Sequence, residues 1–409
     1  MWIPKTEAEI RAVLAAGELS ETATFDAKRE LPAAKKSINL AIDVAAMAND
    51  GGVLLYGIDQ DEQGQPTILA PIALAGVRER IDNIVRSCIT EPPTIEVNTI
   101  PTEADPSVGY AVVAVPPSPR APHMVVKDRD YHFYGRSAAG NALLTEGEVA
   151  RLYERRQRWE VDREAIIQGE IEQSPLQAHG DYGYLYIGVR PVIPDDRLLD
   201  RARERLTPQA RDARLLLERL LAVAVAPGVF PTSFDPDMAR GMRWEPVAEG
   251  FRVFAGYDEG RRRPGEPNRV LTFAVDYDGR AHLFCGRAAH RLRAGNDLLI
   301  LEAIIAGLAT RLLRLLGELY AVAGYLGPVD VGLAVTGLQD GVSAYLAQRV
   351  SQGAYFRDDA PRYTRDQYRR AERFPAVELL QHPAGAARRL TEPLYRVTSN
   401  SWYEPFPGQ

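Results

Sequence analysis

Apolar and polar positions along the first 160 residues alternate between helix-like and strand-like periods. Thr6-Glu7-Ala8-Glu9 reads as a capping box. Ile10, Val13 and Leu14 follow at helical spacing, and Gly17 stops the run. Thr22 to Lys28 reads as extended, and Leu31-Pro32 breaks it. Ser37 is placed to cap a second helix, with Ile38, Ala41, Ile42, Ala45, Ala46 and Asn49 on its inner face. Gly51-Gly52 supplies the positive φ that ends it. Val53 to Ile58 is almost continuously apolar, the pattern of a strand covered on both faces. A third helix is predicted over 72–89 and ends at Pro92-Pro93. Thr94–Ile100 and Tyr110–Val115 alternate like paired strands. Pro116, Pro117, Pro119 and Pro122 predict an irregular crossing, Tyr131–Tyr134 a strand, and Thr145–Glu148 the opening of a helix that runs to about Arg158. A first domain over 1–158 follows.

The second stretch, 159–409, opens on an apolar-acidic linker and then a strand from Tyr184 to Val192. A Leu/Arg-rich helix is predicted over 207–223, then a long loop from Pro227 to Pro236. Phe251–Ala255, Val270–Asp276 and Ala281–Cys285 read as antiparallel strands, with Asp278-Gly279 as a hairpin signal. A long helix over 296–323, a strand Val329–Val335, a helix over 343–350 and a polar, Arg/Tyr-rich end complete the chain. The whole is expected to be mixed α/β: an N-terminal α/β domain, then an α+β domain with an antiparallel sheet and a long helix.

Composition is that of an ordinary globular chain, 45% apolar and 25% charged in 409 residues. The run from Leu298 to Leu326 carries Glu302, Arg311, Arg314 and Glu318, so it reads as a packed helix rather than a membrane span. The start lacks the pattern of a signal peptide, and Cys88 and Cys285 offer neither a disulfide framework nor metal-ligand spacing. A cytoplasmic protein without membrane contact is expected. Net charge is −6, and it is uneven: residues 1–157 hold 16 Lys/Arg against 22 Asp/Glu, and the rest is balanced at 33 each. An acidic first domain is unlike a non-specific nucleic-acid binder, which neutralises phosphates with a basic patch. Any such site must therefore be local, metal-assisted or shared across an oligomer.

Three sequence pieces in order carry a resemblance. They are Glu21-Thr-Ala-Thr-Phe-Asp26-Ala-Lys28, then Ala46-Met-Ala-Asn49-Asp-Gly51-Gly52 leading to Gly57-Ile-Asp59-Gln60, then the proline-rich segment followed by Tyr131-His-Phe-Tyr-Gly-Arg136-Ser137 and a Glu-containing helix. Together they resemble the AlbA_2 domain of the Schlafen family, also labelled divergent AAA-4. The resemblance covers a little over a third of the chain and implies nucleic-acid binding. Some family members are metal-dependent ribonucleases that cut tRNA or rRNA with three acidic residues. Two of those acids map to Glu21 and Asp26, where Asp26 replaces the usual Glu and Ala27 the usual Phe. The third maps to Gln60, so the missing carboxylate would come from Asp59 or Asp61 through a shifted strand end. Schlafen cores hold two such lobes facing one groove, and a single lobe per chain implies a homodimer.

Three clustered carboxylates, here Glu21, Asp26 and Asp59, can hold Mg²⁺ or Mn²⁺ and activate water against a phosphate. Glu21 and Asp26 share a face only if the chain between them turns, because residues five apart in a regular strand face opposite ways. The competing reading is a pair of solvated acids at a helix–strand junction. Lys28 can contact phosphate as a point charge or be an ordinary surface lysine. Arg120, Lys127, Arg129 and Arg136, beside Tyr131, Phe133 and Tyr134, can offer phosphate contacts and stacking surfaces, or belong to a plain β-hairpin. Gly51-Gly52 lacks the Gly-Lys-Ser/Thr of a phosphate loop. Two function classes fit. One is a metal-dependent endoribonuclease acting on tRNA or other structured RNA, in stress or phage defence. The other is a non-catalytic DNA- or RNA-binding regulator whose C-terminal domain senses a ligand or partner.

Overall fold

A computed structural model of the chain describes residues 2–33, 37–61, 65–127, 130–137, 140–159, 163–178, 180–238, 244–257, 264–291, 297–351 and 360–399. The chain divides into two compact units, Met1–Val161 and Asp162–Gln409.

In the first unit the elements run α1 (Glu7–Ala15), β1 (Phe25–Lys28), α2 (Ile38–Met47), β2 (Gly52–Tyr56), β3 (Ile58–Gln60), β4 (Pro66–Leu69), β5 (Ile72–Ala73), α3 (Val77–Cys88), β6 (Ile89–Thr90), β7 (Glu96–Pro101), β8 (Val108–Val115), β9 (Met124–Lys127), β10 (Asp130–Ser137), β11 (Gly140–Leu143) and α4 (Glu146–Trp159). The central sheet has the order β1-β2-β8-β5, with β7 also paired to β8. β1 lies parallel to β2, with Asp26 opposite Leu54, and β8 runs antiparallel to β2. β2 is buried along its whole length because both faces of the sheet are covered. Val53 and Leu55 pack with Ala27 and with Ile10 of α1. Leu54 and Tyr56 pack with Leu40 and Val44 of α2 and Ile81 of α3. A second antiparallel sheet has the order β11-β10-β9-β6.

Several local expectations shift. The Thr6 hydroxyl accepts from Glu9 N at 3.2 Å, but Glu9 reaches back to Lys5 N (2.9 Å) rather than to Thr6. Ser37 makes no side-chain cap to α2. The third helix starts at Val77, not at Ile72. Ile72 and Ala73 pair with β8, and Gly76 at φ +69° ends that extended stretch. Gly51, at φ +88°, turns the chain from α2 into β2 so close to Pro117 that a Cβ would lie 2.8 Å from the ring.

The second unit runs α5 (Arg163–Glu172), β12 (Tyr182–Pro191), α6 (Leu198–Leu206), α7 (Arg214–Ala224), β13 (Glu245–Pro246), β14 (Gly250–Ala255), β15 (Leu271–Asp276), β16 (Ala281–Arg291), β17 (Leu298–Ile300), α8 (Glu302–Ala323), β18 (Pro328–Thr336), β19 (Val342–Ser343), α9 (Ala344–Ser351), β20 (Tyr368–Pro375), α10 (Ala376–Gln381) and α11 (Pro383–Ser399). An antiparallel sheet of order β13-β14-β15-β16-β12-β18-β20 forms its backbone. α8 is buried nearly all round, between the sheet and α6, α7, α10 and α11. Gly317 lets it close on α10: a Cβ there would stand 2.5 Å from Leu380 N. α5 covers part of the opposite sheet face through Ile167, against Tyr184, Tyr186 and Phe284.

Here too the expected boundaries move. The predicted 207–223 helix is the shorter α7, preceded by α6. Leu298–Ile300, placed in the long helix by its hydrophobicity, is a strand paired with β16. The polar-looking C-terminal end holds β20, α10 and α11, and the stretch read as a linker holds α5. Asp278-Gly279 does turn β15 into β16, with Gly279 at φ +81°. Among the described residues no helix is long and apolar enough to cross a membrane.

Candidate nucleic-acid interface and its acidic cluster

Glu21 and Asp26 are brought together by a tight turn. Thr22 N donates to Phe25 O (2.9 Å) and Phe25 N to Thr22 O (3.4 Å), so β1 begins only after the chain has folded back. Phe25 and Ala27 then face α1, which leaves Asp26 and Lys28 on the α2 side of the sheet. Asp26 is 2% exposed.

An isolated buried carboxylate costs several kcal/mol, and here the cluster answers with shared cations. Lys28 Nζ lies 2.8 Å from Asp26 Oδ2 and 3.7 Å from Asp43 Oδ2. Arg136 Nη2 lies 3.2 Å from Asp26 Oδ2, and its Nη1 3.8 Å from Asp43 Oδ1. Asn141 on β11 accepts from Arg136 at 3.2 Å and donates to Asp43 at 2.6 Å. Strand β1, helix α2 and hairpin β10–β11 are thus tied at one point. Asn49 supports that hairpin from the end of α2 by donating to Tyr134 O at 2.9 Å.

At the edge of this cluster sits Glu21, exposed, with Gln60 Nε2 donating to its Oε1 at 2.9 Å. Partial burial and then the neighbouring Asp26 carboxyl raise the Glu21 pKa, against the opposing pull of Gln60 and Lys28. Burial also raises Asp43, only partly offset by Lys28. For Lys28, burial works against the cation, but Asp43 and Asp26 outweigh it and its pKa rises. Three acids meet two cations, so one unit of negative charge is left over when Glu21 is ionised.

The other sequence-predicted residues lie elsewhere. Asp59 is turned to Arg29, which donates to it at 2.6 Å, while its other oxygen accepts from Gln60 N at 3.0 Å. At the end of β3, where the register shifts between Asp59 and Gln60, it is therefore Gln60, not Asp59, that meets Glu21. Arg136 is a nearly buried partner of the two aspartates rather than an exposed phosphate contact. Arg120 is exposed in the proline-rich crossing, where its carbonyl accepts from Arg156 at 3.4 Å. Lys127 ends β9, and its side chain, like the whole of Arg129, lies outside the described residues. Asp43 and Asn141 were missed. Asp43 had a signal, as the one acid among the apolar positions of α2; Asn141 had none.

A divalent cation needs several oxygen ligands with free lone pairs. The Asp26 and Asp43 oxygens already face Lys28, Arg136 and Asn141, and the Gln60 amide spends its N–H on Glu21. Lys28 and Arg136 already supply the positive charge at Asp26 and Asp43 that a divalent cation would bring, and among the described residues no group of three His, Cys, Asp or Glu side chains is set to hold one. The cluster can instead hold β1 against the hairpin while presenting Lys28 and Arg29, both partly exposed, along its rim.

Comparison with known proteins bears on the first unit. One solved structure similar to part of the chain is the N-terminal domain of a RecG-related protein from Nitrosomonas europaea, 20% identical over 33% of this chain and 89% of that one, with a TM-score of 0.25. No curated protein matches. The family model of the Schlafen AlbA_2 domain matches residues 21–145, the segment that holds Glu21, Asp26, Asp43, Gln60, Arg136 and Asn141. The N-terminal unit thus contains a segment, residues 21–145, that is similar to the Schlafen AlbA_2 domain.

Proposed function

We propose that the protein binds nucleic acid through its N-terminal unit and does not cut it. The family match supports nucleic-acid binding. The observation that carries the non-cutting half is the Gln60 amide donating to Glu21 at the position of the third acid, beside two aspartates already paired with Lys28 and Arg136. In this reading Lys28 and Arg29 contact phosphate, and the net acidity of the unit keeps non-specific affinity low and sensitive to salt. The C-terminal unit would then supply regulation by a ligand or partner. The competing reading, metal-dependent cleavage of tRNA, draws on the proximity of Glu21 and Asp26 and the raised pKa of Glu21.

The test incubates the full chain with total tRNA and with duplex DNA, in Mn²⁺ and in EDTA, beside a Glu21→Ala/Asp26→Ala variant. The expected outcome is a mobility shift that persists in EDTA and no fragments. Discrete metal-dependent fragments that vanish in the variant would establish cleavage instead. Failure to shift any nucleic acid would remove the binding reading itself.

A further inference from the structure

On the other side of the Glu21–Phe25 turn, the face that looks toward α1, a groove of about 360 Å³ opens to the surface. That volume lies at the small end of ligand clefts, roughly 300–1,000 Å³. Its apolar wall is made by Trp2 and Phe25, with Leu19 beside them. The two rings stand 5.9 Å apart between centroids and are tilted by 47°, so together they form an angled aromatic shelf with no slot between them. Both are half-buried. Its polar rim holds Glu18 and the hydroxyls of Thr22 and Thr24, whose Oγ1 atoms lie 3.4 Å apart.

We propose that this groove takes one unstacked nucleobase, so that the nucleic acid bound by the N-terminal unit is single-stranded or has an extruded base. The inference rests on the nucleic-acid reading above and adds the class of ligand. Three observations select a base over other occupants. Every base has a π-face that lies on an aromatic shelf regardless of sequence. Among the described residues the only charged group of the lining is the Glu18 carboxylate, which repels a phosphate but accepts from the exocyclic amines of adenine, cytosine or guanine. The groove also shares the Thr22–Phe25 turn with the acidic cluster. Thr22, in its wall, accepts through its carbonyl from Arg136 Nε at 3.4 Å, and Phe25 begins the short strand that leads to Lys28 and Arg29. A duplex, with its bases stacked inside, cannot use the shelf.

The experiment measures anisotropy of a labelled single-stranded oligoribonucleotide and of a blunt duplex containing the same sequence, with the full chain and with Trp2→Ala and Trp2→Phe. Stacking on an aromatic residue contributes ~1–3 kcal/mol per base. Trp2→Ala is therefore expected to weaken single-strand binding about tenfold and duplex binding less than about twofold, and Trp2→Phe to keep most of the single-strand affinity. Unchanged single-strand affinity in Trp2→Ala, or an equal loss on both ligands, would overturn the inference while leaving the binding reading in place. A wild-type chain that binds neither ligand would overturn both. Matching thermal melts of the three proteins separate lost stacking from lost folding.

Discussion

Two buried aspartates, one in each unit, are neutralised in different ways. Asp330 on β18 is 1% exposed, and its partners come from the strands on either side at the same register. Arg373 reaches both its oxygens, at 2.7 and 3.0 Å, and Arg190 stands at 3.7 Å. The charge is closed within one sheet by a forked guanidinium, the geometry that best repays burial of a carboxylate. Asp26 is buried as deeply, but its cations come from its own strand and from a second sheet, and both are shared with Asp43. Beyond them Glu21 adds an acid at the solvent edge, with only the neutral Gln60 to receive it. A closed pair is a scaffold device. A cluster with surplus acid at an exposed rim, where a strand, a helix and a hairpin converge, is where a ligand can be read.

The comparison can be broken at its strongest point first. Asp330→Ala removes the buried carboxylate that Arg373 and Arg190 share and should cost about 3 kcal/mol, read as the denaturant midpoint, with nucleic-acid affinity unchanged. A loss below about 1 kcal/mol would mean that Asp330 is no more than a surface-like pair. Next, Gln60→Glu puts a carboxylate beside Glu21 and should lower stability by about 1 kcal/mol at neutral pH in EDTA. Mn²⁺ should then raise the melting temperature of the variant and not of the wild type. An equal response in both proteins would show that Gln60 does not decide metal binding.

The smallest effect concerns His282, which lies between Glu170 of α5 and Asp276 of β15. Burial works against its cation, but the hydrogen bonds to Asp276 and Glu170 prevail and push its pKa up to about 9, from 6.5. Because the folded value is the higher one, the stabilisation is complete below about pH 6.5 and is lost as pH rises toward 9. Chemical denaturation of wild type across that window should show the fall, and His282→Asn should flatten it. A fall that persists in the variant would assign it to another group.

Much of this arrangement was legible from sequence. The apolar run from Val53 announced a strand with two covered faces, although it ends at Tyr56 because Gly57, at φ +103°, turns the chain into β3, and Asp278-Gly279 announced its hairpin, because each signal is local and chemically specific. Helix α11 was not legible: Pro383, Gly385 and Pro393 argue against a helix, and Pro393 sits inside it. Burial of Leu390 and Leu394 in the core of the second unit offsets a helix-interior proline that costs about 3 kcal/mol. Helix α5 was hidden by its acids, since among its described side chains only Ile167 is fully buried. In the first unit the pieces Glu21–Lys28, Asn49–Gly52 and Gly57–Gln60 marked the domain, yet the guanidinium that answers Asp26 lies 110 positions away at Arg136, and the acid that shares its cations lies 17 away at Asp43.

The sequence by itself determined the periodicities, the turns and the set of acids, because these depend on neighbours a few residues apart. Only the tertiary structure decided which acids meet and what answers their charge. The turn at Thr22–Phe25 set Glu21 beside Asp26, and the irregular end of β3, where the register shifts between Asp59 and Gln60, turned Gln60 to Glu21 and Asp59 to Arg29. A one-residue step along a strand reverses the direction of a side chain. The side of the strand on which a carboxylate falls is therefore fixed by pairing and packing across the whole unit.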